Sequence, residues 1–153
     1  MKNKTRFILF LICSGFLIGS ISLLVGAPNL LTIRLSESIN LPVGTITTWL
    51  GLIALPSMFL LGIDKVYNAT TTLYLIWKRA LSVLILFSVM WLPISFMLAG
   101  NLAFTFSNVG SFQGGQTAMK IFWLMNYLLV TLPLILSIVF GSMIMMSKIL
   151  NGR

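Results

Sequence analysis

The 153-residue chain has no histidine, two acidic residues and one cysteine, and each shortage removes a class of chemistry. Without histidine the commonest metal ligand and the commonest general base are both missing. Glu37 and Asp64 lie outside the apolar runs, whereas proton-coupled carriers place an ionisable group inside a span. Cys13 alone forms neither an intrachain disulfide, a CxxC pair nor a zinc site, and it reads as a small buried hydrophobe. No serine, threonine or cysteine has a neighbouring base to activate it. The expectation is a non-enzymatic protein without cofactor or metal.

Charge is scarce as well. Charged residues make up 8% of the chain and apolar residues 58%, with a mean hydropathy of +1.05; soluble domains carry about 25% charged and about 45–50% apolar residues. The solvent this composition suits is lipid. A span needs about 20 mostly apolar residues, and four stretches qualify, at about 7–25, 45–63, 80–99 and 121–145. The fold class expected is all-α, a single transmembrane domain over residues 1–153 forming a four-helix bundle. The basic start before the first run suggests a signal peptide. That run exceeds the usual h-region of about 7–15 residues, and the best small-residue site, Val25-Gly26-Ala27, is followed by Pro28. It is expected to stay as an uncleaved span.

Basic residues set the orientation. With a cytoplasmic N-terminus, the inner side holds Lys2, Lys4, Arg6, Lys65, Lys78, Arg79, Lys148 and Arg153, and the outer side holds Arg34 and Lys120. That asymmetry over short loops is the positive-inside pattern. Both termini are therefore expected in the cytoplasm, with a bacterial inner membrane as the site. The net charge of +8 then serves anionic lipid headgroups and calls for no nucleic acid.

Small residues suggest where helices meet, because association in lipid relies on close contact and interhelical hydrogen bonds. Gly15, Gly19, Ser22 and Gly26 share one stripe of the first span, and Gly44, Thr47, Thr48, Gly51 and Ala54 have similar spacing in the second. These stripes fit packing of the two helices on each other, or docking of a second copy or another membrane protein. Pro56, Pro93 and Pro133 each follow a leucine inside a span, and proline removes a helix hydrogen bond and kinks the chain. Asn126 is the best buried polar candidate in the fourth span. Trp123 and Tyr127 read as outer interfacial anchors, and Tyr67, Tyr74 and Trp77 as inner ones. Trp49 and Trp91 have no such reading.

The connections differ in character. Residues 29–41 alternate polar and apolar side chains and fit an extended segment or a short interfacial helix; no strand is otherwise expected. Residues 100–120 are rich in Gly and Asn and read as the most flexible loop, with Gln113 and Gln116 as candidate partner contacts. Gly114-Gly115-Gln116 spells a release-factor tripeptide in a foreign setting and is taken as chance. Asp64 and Lys65, at the inner end of the second span, read as an exposed or interfacial ion pair, or else as the other candidate partner contacts.

Membrane lipids and a membrane-protein partner, or a homo-oligomer, are the partners this pattern implies. The leading functional expectation is a protein acting through other membrane proteins, as an accessory subunit or as a protective factor. In size, basicity and span number the chain is similar to the immunity and exclusion proteins carried by plasmids and phages, with no motif behind the likeness. The alternative is a small pore or transporter component gated at Pro56, Pro93 and Pro133.

Overall fold

The structure, a computed structural model, describes residues 3–36, 41–103, 106 and 112–151. Its elements are α1 (Asn3–Gly26), α2 (Pro28–Leu31), β1 (Arg34–Ser36), β2 (Leu41–Pro42), α3 (Val43–Gly62), α4 (Asp64–Tyr67), α5 (Thr72–Ala99) and α6 (Gly115–Asn151). Four of the helices are long and apolar enough to cross a membrane, over Lys4–Gly26, Val43–Gly62, Thr72–Ala99 and Gly115–Met146. Even the shortest, α3 with 20 residues, reaches about 30 Å at about 1.5 Å per residue, the thickness of a hydrocarbon core.

Two helices start earlier than the apolar runs suggest. α5 begins at Thr72 rather than near Ala80, and α6 at Gly115 rather than near Ile121. Lys78, Arg79 and Lys120 mark the edge of an apolar run, but lysine and arginine are good helix formers, so the helix continues past the point where hydrophobicity stops. Two glycines shape the described ends of the link between these helices. Gly100 caps α5 in the left-handed region at φ 75°, its N–H donating to the Phe96 carbonyl at 2.8 Å. A Cβ on Gly114 would run into the Leu98 carbonyl oxygen, so only glycine fits there.

The described residues of the 29–41 stretch combine a helical turn and extended chain. α2 is a single turn, and β1 pairs antiparallel with β2, Arg34 opposite Pro42 and Ser36 opposite Leu41 with a register irregularity between. The backbone N–H of Val43 donates to the Ile33 carbonyl at 2.8 Å and ties this hairpin to the start of α3. Glu37, Ile39, Lys2 and Arg153 lie outside the described residues.

α3 is the centre of the bundle and touches α1 on one side and α5 and α6 on the other. Arg6, early in α1, meets Asp64 just past the end of α3, and Trp77, early in α5, meets Phe140, late in α6, with ring centroids 5.0 Å apart. α1 and α3, and likewise α5 and α6, are therefore antiparallel, and the first and last described turns share one end of the bundle. The interior holds two clusters. Leu52, Trp91, Phe122 and Leu129 fill the half near the hairpin, and Val66, Trp77, Leu81 and Phe140 fill the half near the termini. On α5 the buried positions Trp77, Leu81, Leu84, Ser88, Trp91, Ser95 and Ala99 recur every three or four residues, the stripe one helix face presents to a neighbour.

The α1–α3 crossing depends on α3 having almost no side chain where α1 passes. A Cβ built on Gly51 would lie 3.0 Å from the Ser20 side chain, and one on Gly62 would lie 3.0 Å from the Phe10 ring. Gly51→Leu is expected to destabilise the fold by about 1–3 kcal/mol through overpacking, read as thermal unfolding in detergent by tryptophan fluorescence. Gly19→Leu, where nothing stands within 4 Å of an added Cβ, is expected to stay within about 0.5 kcal/mol of wild type. Equal losses from both would show that α1 packs by another face.

Candidate functional site

The residues singled out in the sequence fall into three places. The α1 stripe faces away from the bundle: Gly15, Gly19, Ser22 and Gly26 are all exposed, and a Cβ on Gly15, Gly19 or Gly26 would meet nothing within 4 Å. α1 instead approaches α3 through Phe10, Leu17 and Ser20, and the Ser20 hydroxyl donates to the Thr47 carbonyl at 2.9 Å. Of the α3 glycines, Gly51 sits at that crossing, while Gly44 lies under the ring of Phe106. Between α1 and α6, with α3 as its floor, runs an apolar groove of about 440 Å³ lined by Leu17, Ile21, Leu24, Leu55, Met58 and Leu134.

The second place is the interior of α3, α5 and α6. Pro56, Pro93 and Pro133 all lie within continuous helices. Pro56 and Pro133 are fully buried, whereas Pro93 is exposed. Proline has no N–H, so Pro93 leaves the carbonyl of Val89, four residues earlier, without its helix donor. The indole N–H of Trp49 on α3 donates to that carbonyl at 3.2 Å, which gives Trp49 a role the sequence did not suggest. One turn away, Trp91 Nε1 donates to Asn126 Oδ1 at 2.9 Å, and Asn126 Nδ2 donates to the Phe122 carbonyl at 2.8 Å. Asn126 thereby joins α5 to α6 while satisfying its own helix.

The third place is the end of the bundle near the termini. Asp64 accepts from Arg6 and, at 3.0 Å, from Asn68 Nδ2. The partner of this acid is thus Arg6, distant in sequence, and not the adjacent Lys65, which is exposed on α4. Tyr67 lies between two cations, with Arg6 5.4 Å and Lys78 Nζ 5.6 Å from its ring centroid, and Lys78 Nζ also donates to the Tyr67 carbonyl at 2.8 Å. The Arg6 hydrogen bond is the main cause holding the Asp64 carboxyl below its ordinary range; desolvation opposes it, and the Arg6 charge and the Asn68 amide add to the lowering.

Gln113 and Gln116 are exposed at the opposite end. The described parts of the 100–120 segment are fastened to the bundle. Thr45 Oγ1 donates to the Leu102 carbonyl at 2.8 Å, and the Gln113 N–H donates to the Ala99 carbonyl at 2.9 Å. Phe112 packs against the cluster around Trp91 and Phe122.

Among the described residues, no group of three or more His, Cys, Asp or Glu side chains could hold a metal ion. Comparison of the chain with protein-family models, with curated proteins and with solved structures finds no match.

A double-mutant cycle on Trp91→Phe and Asn126→Leu is expected to return a coupling of about 0.6–2 kcal/mol, as for interhelical hydrogen bonds in apolar surroundings. Additive losses would mean that the two side chains stabilise the fold separately. The Arg6–Asp64 pair carries a pH signature. The folded-state pKa of Asp64 is lowered, so its contribution is present above the ordinary carboxylate value and fades as pH falls through the lowered one. Melting temperature is expected to drop on strong acidification in wild type, with a smaller drop in Asp64→Asn; parallel curves would remove the pair from the stability of this end.

Proposed function

We propose that the chain is an integral protein of a bacterial inner membrane, with both termini in the cytoplasm, that acts by contacting other membrane proteins. It serves as the accessory subunit of a membrane complex or as a protective factor of the immunity and exclusion type, and it catalyses no reaction. The observation that carries this reading is the placement of α1. It rests chiefly on α3 and turns Gly15, Gly19, Ser22 and Gly26 outward with open space at each glycine. In lipid, a stripe of small residues lets a second helix backbone approach closely.

The charge distribution supports the orientation. Lys4, Arg6, Lys65, Lys78 and Arg79 belong to the end of the bundle that carries Asn3, and only Arg34 and Lys120 among the described cations belong to the other. The pore alternative is less well supported, because Leu52, Trp91, Phe122 and Leu129 close the space between α3, α5 and α6.

Affinity capture from native nanodiscs tests the proposal. Wild type is expected to recover a stoichiometric membrane protein, and the Gly15→Leu/Gly19→Leu variant to lose it while keeping its thermal stability. A homo-oligomer with no partner, together with conductance in a planar bilayer, would overturn the proposal in favour of the pore.

A further inference from the structure

Among its described residues, the connector between α1 and α3 turns Leu30, Ile33 and Leu35 outward. Leu31 is 3% exposed and Pro42 fully buried, so these two fasten the connector to the bundle. Leu30, Ile33 and Leu35 stand 47%, 52% and 59% exposed within six residues of chain. The backbone bond from Val43 to Ile33 fixes this stretch beside the first turn of α3. It therefore sits at the level where α1 ends at Gly26 and α3 starts at Val43, the two edges of apolar helices long enough to span. The exposed apolar surface is also continuous with α1, whose last turn exposes Leu24 by 42% and Val25 by 81%. Arg34, set between Ile33 and Leu35, is the single charge in the described part of the connector.

The geometry points to the Leu30–Leu35 stretch as a phospholipid-binding surface, seated at the boundary between acyl chains and headgroups of the outer leaflet. This rests on the membrane reading above. Leu30, Ile33 and Leu35 enter the upper acyl region, which removes from water the apolar area that the bundle leaves uncovered. Arg34 extends to the phosphate level, where its aliphatic stem lies along apolar surface and its guanidinium pairs with the headgroup oxygens. Lys120, Trp123 and Tyr127 are also exposed along the half of α6 nearer this end. The connector thus holds the α1–α3 turn on the membrane surface and away from the aqueous phase.

Site-directed spin labelling tests the assignment. In a Cys13→Ala background, single nitroxides are placed by Leu30→Cys, Ile33→Cys, Arg34→Cys and Leu35→Cys, in vesicles of phosphatidylethanolamine and phosphatidylglycerol. Labels at Leu30, Ile33 and Leu35 are expected to collide several-fold more with oxygen than with a water-soluble nickel chelate, and the label at Arg34 to show a smaller ratio. Free access of nickel to all four would place the connector in water, and access of neither reagent would place a protein segment over it; either result overturns the proposal. Labels from Ile18→Cys and Ile138→Cys, at sites 65% and 69% exposed on α1 and α6, separate the two readings. If nickel reaches these as well, the membrane reading itself fails; if they meet oxygen alone, only the connector assignment is at stake.

Discussion

Close approach to α3 is what the other long helices depend on. Its buried positions include Gly44, Thr45, Thr47, Gly51 and Ala54, all small, and they lie on a helix that must accept α1 on one side and α5 and α6 on the other. In water such a surface would contribute little, because little apolar area is covered. Between helices in lipid the reference is different: the tails are as apolar as leucine, so contact distance and hydrogen bonding decide association. Ser20 fits this logic. Its side chain occupies the space left by Gly51 and its hydroxyl reaches the Thr47 carbonyl, so one small residue supplies both the near approach and the polar bond.

The same economy explains why polar side chains on the spans are poor guides to a functional site. Ser14, Ser57, Thr131, Ser137 and Ser142 each donate to the carbonyl four residues earlier in their own helix, and so meet their needs locally. Between α3, α5 and α6 the interhelical bonds described above come instead from two indoles and an amide. Trp49 supplies the donor that Pro93 lacks, and Trp91 reaches Asn126. An exposed proline in a spanning helix is tolerable when a neighbour re-satisfies its freed carbonyl. Here Pro93 and Trp49 form such a pair, and it links α5 to α3 where a flexible gate would need them apart.

Long-period features were legible in the sequence and pairwise ones were not. Four apolar runs translate into four long helices because hydrophobicity accumulates over many residues. The boundaries at Thr72 and Gly115 escaped because helix propensity, which lysine and arginine favour, continues past the edge of the apolar run. The β1–β2 hairpin is too short to impose a pattern, and alternation over residues 29–41 fits a strand and an interfacial turn equally. The small-residue stripe of α1 was visible, but its direction was not: Gly19 and Ser20 are adjacent, and only the crossing with Gly51 decides which of them faces α3. Asp64 could be paired by proximity with Lys65 alone, since nothing local to either residue points to Arg6. For the 100–120 segment, Gly and Asn content suggested looseness, and the contacts that its described residues Leu102, Phe106 and Gln113 make have no signature in that composition.

The cations at the end near the termini divide by role, and the division bears on how the protein meets its surroundings. Arg6 and Lys78 are drawn inward, the first to Asp64 and the Tyr67 ring, the second to the Tyr67 ring and carbonyl. Arg6 is accordingly only 17% exposed. These contacts fasten α1, α4 and α5 to one another just beyond the apolar stretches. Lys4, Lys65 and Arg79 remain exposed around them. A helix held by a polar clasp at one end and by Ser20 and Gly51 at its middle needs no further packing along its outer face. α1 can therefore keep its glycine stripe uncovered without loss of position, which is the condition that the proposed docking of another membrane helix requires.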